Sequence, residues 1–85
     1  MRYSVLLSPS AERDLGALDK PAQRRVVARI EALAENLRPA GVAKLQGEAK
    51  AWRIGVGDYR VLYTIEDGRL VVLVVKIGHR REVYR

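Results

Sequence analysis

The spacing of apolar residues changes three times along this chain, and each change marks an element. Tyr3 to Leu7 reads as a first strand. Ser8-Pro9 then supplies an N-cap and a first-turn proline, and Ala11, Leu15 and Leu18 follow at helical spacing, predicting a short helix to about Leu18. Asp19 and Pro21 restart a helix in which Ala22, Val26, Val27, Ile30, Leu33, Ala34 and Leu37 form one apolar stripe. Arg38-Pro39-Ala40-Gly41 ends it, and Val42 to Lys50 reads as a connector turning at Gly47. The remainder alternates with period two. Trp52 to Val56 and Tyr59 to Glu66 flank Gly57-Asp58, and Asp67-Gly68 carries a type I′ hairpin signal. Leu70 to Ile77 is apolar on both faces except at Lys76, as expected of a central strand. The order β-α-α-β-β-β predicts an α+β fold, a helical hairpin packed on one face of a curved, mainly antiparallel sheet. Residues 1–85 read as a single domain, with no repeat or linker.

Hairpin arithmetic turns the pattern into a geometry. A two-residue loop at Gly57-Asp58 pairs Val56 with Tyr59, Gly55 with Arg60 and Arg53 with Leu62. Paired residues share a face, so Arg53, Gly55, Arg60 and Leu62 look away from the core that Ile54, Val56, Val61, Tyr63 and Ile65 must line. The same rule at Asp67-Gly68 pairs Arg60 with Val75 and Leu62 with Leu73. His79, Arg80 and Arg81 then fall near Arg60, and Tyr84 can return over the same surface. One open face should therefore gather Arg53, Arg60, Arg80 and Tyr84 beside Val71, Leu73 and Val75.

Charge adds a partner class. Sixteen Lys and Arg against ten Asp and Glu leave a net charge of +6, which favours polyanions or acidic proteins. Twelve of the cations are arginines, the better residue for bidentate phosphate contacts. With no cysteine and one histidine, neither a metal site nor a redox centre is expected, and a reducing, cytoplasmic setting is. The apolar run Val5-Leu6-Leu7 is too short for a signal peptide or a membrane span, so no membrane partner is expected. The long helix carries Lys20, Arg24, Arg25 and Arg29 in its N-terminal half and Glu31 and Glu35 beyond them, against its dipole. Its i,i+4 charged pairs are like-charged and each costs roughly 0.2–0.5 kcal/mol. Helix stability does not explain that arrangement. A contact of Arg24, Arg25 and Arg29 with nucleic acid would.

Asp58-Tyr59-Arg60-Val61-Leu62-Tyr63 and Gly78-His79-Arg80-Arg81-Glu82-Val83-Tyr84, with Ser8 to Leu18 ahead of them, closely resemble the RelE/ParE toxin superfamily of bacterial toxin–antitoxin modules. The resemblance runs over essentially the whole chain. It implies a type II toxin that cleaves mRNA on the ribosome without metal or other cofactor, the ribose 2′-OH attacking the adjacent phosphate. It implies phosphate-binding roles for Arg60 and Arg80, an active-site role for Tyr84, a basic strand position at Arg53, and RNA contact at Arg81. It further implies a cognate antitoxin seated on Leu62, Val71, Leu73 and Val75, with operator DNA bound only through the toxin–antitoxin complex. The alternative within the superfamily is a ParE-like toxin that inhibits DNA gyrase by binding, with no nuclease chemistry. One departure concerns the chemistry: a second basic residue of the family's strand is here Gly55. A guanidinium is a poor base, so the proton acceptor is less obvious and weak catalysis is expected. His79 is the one side chain whose ordinary pKa suits acid/base work.

Overall fold

The computed structural model describes residues 2–38, 42–44 and 51–79. Its elements are β1 (Ser4–Leu7), α1 (Pro9–Gly16), α2 (Lys20–Ala32), β2 (Ala43–Lys44), β3 (Ala51–Val56), β4 (Tyr59–Glu66) and β5 (Val71–His79). They form a five-stranded sheet in the order β1-β5-β4-β3-β2, with β1 parallel to β5 and every other pair antiparallel. Both helices lie on one face, as the α+β reading expects. The short strand β2 falls within the stretch read as a connector.

Each helix starts where its cap is. The Ser8 hydroxyl accepts from Ala11 N at 3.0 Å, and Asp19 Oδ1 accepts from Ala22 N at 2.9 Å, each satisfying an amide with no partner inside the helix. The second helix stops at Ala32, short of the Leu37 end of its apolar stripe. Leu33 and Ala34 are nevertheless 1% and 2% exposed, because i→i+3 bonds tighten the chain there and turn both side chains inward. The stripe therefore outlasts the helix. Just beyond, the buried Tyr63 donates its hydroxyl to the Leu37 carbonyl at 2.7 Å, and burial pushes its pKa up to about 12.

The core is the helix-covered face: Ile54 and Val56 from β3, Val61, Tyr63 and Ile65 from β4, and Val72, Val74 and Ile77 from β5, closed by Ala11, Val26 and Ile30. No buried polar or charged residue interrupts it among the described residues. In β5 the buried positions step from 72 and 74 to 77, so the strand changes phase along its length.

Two features correct the expected second hairpin, and the second of them produces that change of phase. Asp67-Gly68 is part of a four-residue loop, because Leu70 takes a left-handed φ of 53° and Glu66 pairs with Val71. Leu70 N donates to Asp67 O at 3.3 Å and Arg69 N to Glu66 O at 3.2 Å. Further along, Tyr63 pairs with Val74 but Leu62 pairs with Lys76, leaving Val75 as the extra residue of a β-bulge. Helix α1 holds this bulge: Ser8 Oγ lies 3.0 Å from the Val75 carbonyl, and Asp14 Oδ2 accepts from Ile77 N at 3.0 Å. Strand β1 ends its pairing at Val74, so Asp14 fills in for a strand partner beyond that point.

Candidate functional site

The open face is built row by row from the pairing. Arg53, Leu62 and Lys76 form one row across β3, β4 and β5, and Gly55, Arg60 and Gly78 form the next. The first hairpin is in the expected register, with Gly57 at a φ of 61° in the first loop position, where a type II′ turn favours glycine. The second is not: Arg60 stands opposite Gly78, not Val75, and Leu62 opposite Lys76, not Leu73. Arg60 thus has a glycine on both sides, and Arg53 lies diagonally from it, roughly 7–8 Å away between backbones.

That arrangement settles what Gly55 does for Arg60. The Arg60 side chain lies along the bare backbone of Gly55, and a β-carbon on Gly55 would come within 2.8 Å of Nη1 and 3.3 Å of Cζ. Nη1 also donates to the Tyr59 carbonyl at 3.1 Å, which fixes the direction of the fork. Gly55 is the floor on which the guanidinium rests. The result is a backbone-floored trough with a half-buried arginine along it and Arg53 at its flank. A guanidinium held this way presents planar N–H donors of the kind suited to a phosphodiester.

Other expected site residues fall elsewhere. His79 pairs with Tyr59 and packs edge-on against its ring, centroids 6.0 Å apart at 77°, so strand alternation puts it on the face opposite Arg60. Arg80, Arg81 and Tyr84 lie outside the described residues. Arg24, Arg25 and Arg29 are exposed on the helical layer, on the far side of the sheet from Arg53 and Arg60. Among the described residues no carboxylate pairs with any of the three; the ion pairs there are Arg2–Glu35, Arg69–Glu66 and Lys76–Asp14.

The apolar strip also shifts. Leu62, Leu73 and Val75 are half-buried, but Val71 is only 7% exposed and offers little surface. Leu6, which pairs with Leu73, is 48% exposed and extends the strip onto β1. Sequence reasoning missed both Leu6 and Lys76. The available signal for Lys76 was its charge in a strand otherwise apolar on both faces, which marks a change of phase.

The sequence and fold are similar to those of known proteins. Residues 5–84 match the family model of the ParE toxin of type II toxin–antitoxin systems. Toxin RelG of Mycobacterium tuberculosis is 34% identical, the match covering 100% of this chain and 99% of that relative. Among solved structures, the RelBE2 toxin–antitoxin complex of the same organism gives a TM-score of 0.82 at 28% identity, over 94% of this chain and 100% of that one. The archaeal RelE–RelB complex of Pyrococcus horikoshii matches equally well, with a TM-score of 0.82 and 28% identity over 94% and 97% of the two chains. No described helix is long and apolar enough to cross a membrane. With a matching family model over nearly its full length, a relative matched end to end and the same sheet and helices, the chain belongs to the RelE/ParE family of type II toxins and is RelE-like within it.

Proposed function

We propose that this toxin is a ribosome-dependent endoribonuclease that cuts mRNA without metal. The observation that carries the reading is the Arg60 guanidinium resting on Gly55, between two glycine positions and beside Arg53. In the reaction the ribose 2′-oxygen attacks the adjacent phosphorus and the bond to the 5′-oxygen breaks. A 2′,3′-cyclic phosphate and a free 5′-hydroxyl result, the 2′-OH giving up a proton and the leaving oxygen gaining one. Arg60 meets the charge that builds on the non-bridging oxygens, where a positioned donor contributes most. Arg53 holds the backbone of the substrate strand. By resemblance, Arg80 adds a second clamp, and Tyr84 orients a base or transfers a proton.

The same reading gives the remaining surfaces their partners. Arg24, Arg25 and Arg29 contact ribosomal RNA on the helical layer, holding the toxin through counterion release. Arg81 adds to RNA contact. Leu62, Leu73 and Leu6 accept an apolar and acidic segment of a cognate antitoxin, which neutralises the arginines in the resting cell. Operator DNA is reached only through that antitoxin. The related complexes of RelE-type toxins with RelB-type partners support this part.

The test is a translation reaction with purified ribosomes and a defined mRNA, followed by primer extension. Codon-phased cleavage that disappears in Arg60→Ala is the expected result. Intact mRNA together with blocked DNA gyrase supercoiling would replace this reading with gyrase inhibition.

A further inference from the structure

Among the described residues, the β-bulge at Val75 gives the open face a third cation. Without the extra residue, β5 would present its odd-numbered positions to that face throughout; with it, Lys76 takes the row of Leu62 and Arg53, next to the row of Arg60. Lys76 is exposed, and its Nζ lies 3.4 Å from the Asp14 carboxylate. Asp14 is itself fixed, since its other task is to accept from Ile77 N at 3.0 Å. So a carboxylate held by α1 retains a lysine whose backbone belongs to the phosphate-binding face.

That ion pair is weakly committed. The Lys76 side chain is 47% exposed, and exposed pairs are among the least stabilising contacts in a protein. A lysine carries its charge as a point on a flexible four-carbon stem, free to exchange one anionic partner for another. A polyanionic strand across the Arg53–Arg60 trough would offer such a partner at adjacent phosphates. We propose that Lys76 is a further phosphate-binding residue of this toxin, parked on Asp14 when the face is empty and released to the backbone of the substrate strand when RNA is bound. Asp14 is then a positioning residue that sets how readily Lys76 is released.

The inference rests on the RNA-cleaving reading, so its test has one readout that does not require cleavage. Binding of a single-stranded oligouridylate is measured against salt for the whole protein, and cleavage on programmed ribosomes is measured beside it. Lys76→Gln should lower the slope of log Kobs against log salt by about 0.7, the single-strand value per phosphate contact. Its kcat/KM for mRNA should fall roughly ten-fold, mostly through KM, as expected on losing a charge-assisted contact. Lys76→Arg should recover both to within about three-fold of wild type, because the charge is retained. Asp14→Asn keeps an oxygen for Ile77 N, removes the competing charge and should lower KM about two-fold; in a Lys76→Gln background it should do nothing. A slope unchanged by Lys76→Gln overturns the proposal. So does an Asp14→Asn effect that persists without the lysine, since Asp14 would then act only on the fold. A wild type that binds the oligonucleotide with a Lys76-dependent slope but never cuts mRNA would refute the nuclease reading and leave Lys76 as a phosphate ligand.

Discussion

The two faces of this sheet are made by the same residues' neighbours, yet they obey different rules. On the helix-covered face the buried core is apolar, and the hydroxyl of Tyr63 is satisfied by a backbone carbonyl. On the open face two glycines flank Arg60, and the nearby side chains are Arg53, Leu62 and Lys76. The first face is filled with apolar side chains, and the second sets a glycine on each side of a charge. Burial fixes the phase of the strands, and the phase then decides which cations meet on the other side. A single extra residue in β5 puts Lys76 and Gly78 on the open face in place of Val75 and Ile77, and puts Ile77, not Lys76, opposite Val61 in the core.

Substitutions on the two faces should therefore separate stability from function. Ile54→Ala, at a core position 1% exposed, should cost roughly 2–5 kcal/mol in urea unfolding. Arg60→Ala, on the half-buried open face, should cost less than about 1 kcal/mol while abolishing cleavage. Equal losses of stability would erase the distinction. The covered face should also carry a signature in alkali. Tyr63 titrates at about 12 in the folded chain against 10.0 ordinarily, because burial disfavours the phenolate. Above pH 10 the unfolded chain releases this proton while the folded chain keeps it. Its contribution is thus complete below pH 10 and falls away as pH rises toward 12, by roughly 2 kcal/mol. Urea midpoints between pH 9 and 12 should fall less steeply in Tyr63→Phe than in wild type. Parallel curves would mean that this hydroxyl is not the source.

Smaller effects probe how one face is tied to the other. Ser8 caps α1 and also bonds the bulge carbonyl of Val75, so Ser8→Ala should cost about 1–2 kcal/mol. It should also weaken cleavage beyond what refolding at lower temperature restores. A stability loss with full cleavage would show that the bulge holds its phase unaided. The smallest stability change is expected for Arg24→Gln, Arg25→Gln and Arg29→Gln combined, which removes like-charge pairs from α2. Ribosome affinity should nonetheless fall and its salt slope should flatten by about one unit per lost contact. An unchanged slope would return those arginines to an ordinary solvated surface.

How far the sequence predicts all this depends on whether the determinants are local. Gly57-Asp58 fixes the first hairpin by turn chemistry alone, so the shared face of Arg53, Gly55, Arg60 and Leu62 was legible. Asp67-Gly68 has the residues of a tight turn, but Leu70 adopts a left-handed backbone that an aliphatic side chain rarely takes, and the loop opens to four residues. The bulge is less legible still, because it is held by Ser8 and Asp14, more than 60 positions away in sequence. Hydrophobic period cannot register such a contact, so it does not single out Lys76. The end of α2 misled for a simpler reason: Leu33 and Ala34 stay buried in the turn that follows the helix.

The central claim is that the open face works because Arg60 lies on the bare backbone of Gly55. Its most direct test is the single-turnover rate of mRNA cleavage on saturating programmed ribosomes by Gly55→Ala. A methyl group there meets the flexible end of Arg60, 2.8 Å away, so the guanidinium must move while the strand need not. The account predicts cleavage slowed by about ten-fold or more, with thermal stability within about 1 kcal/mol of wild type. Cleavage at the wild-type rate in a folded Gly55→Ala protein would contradict it.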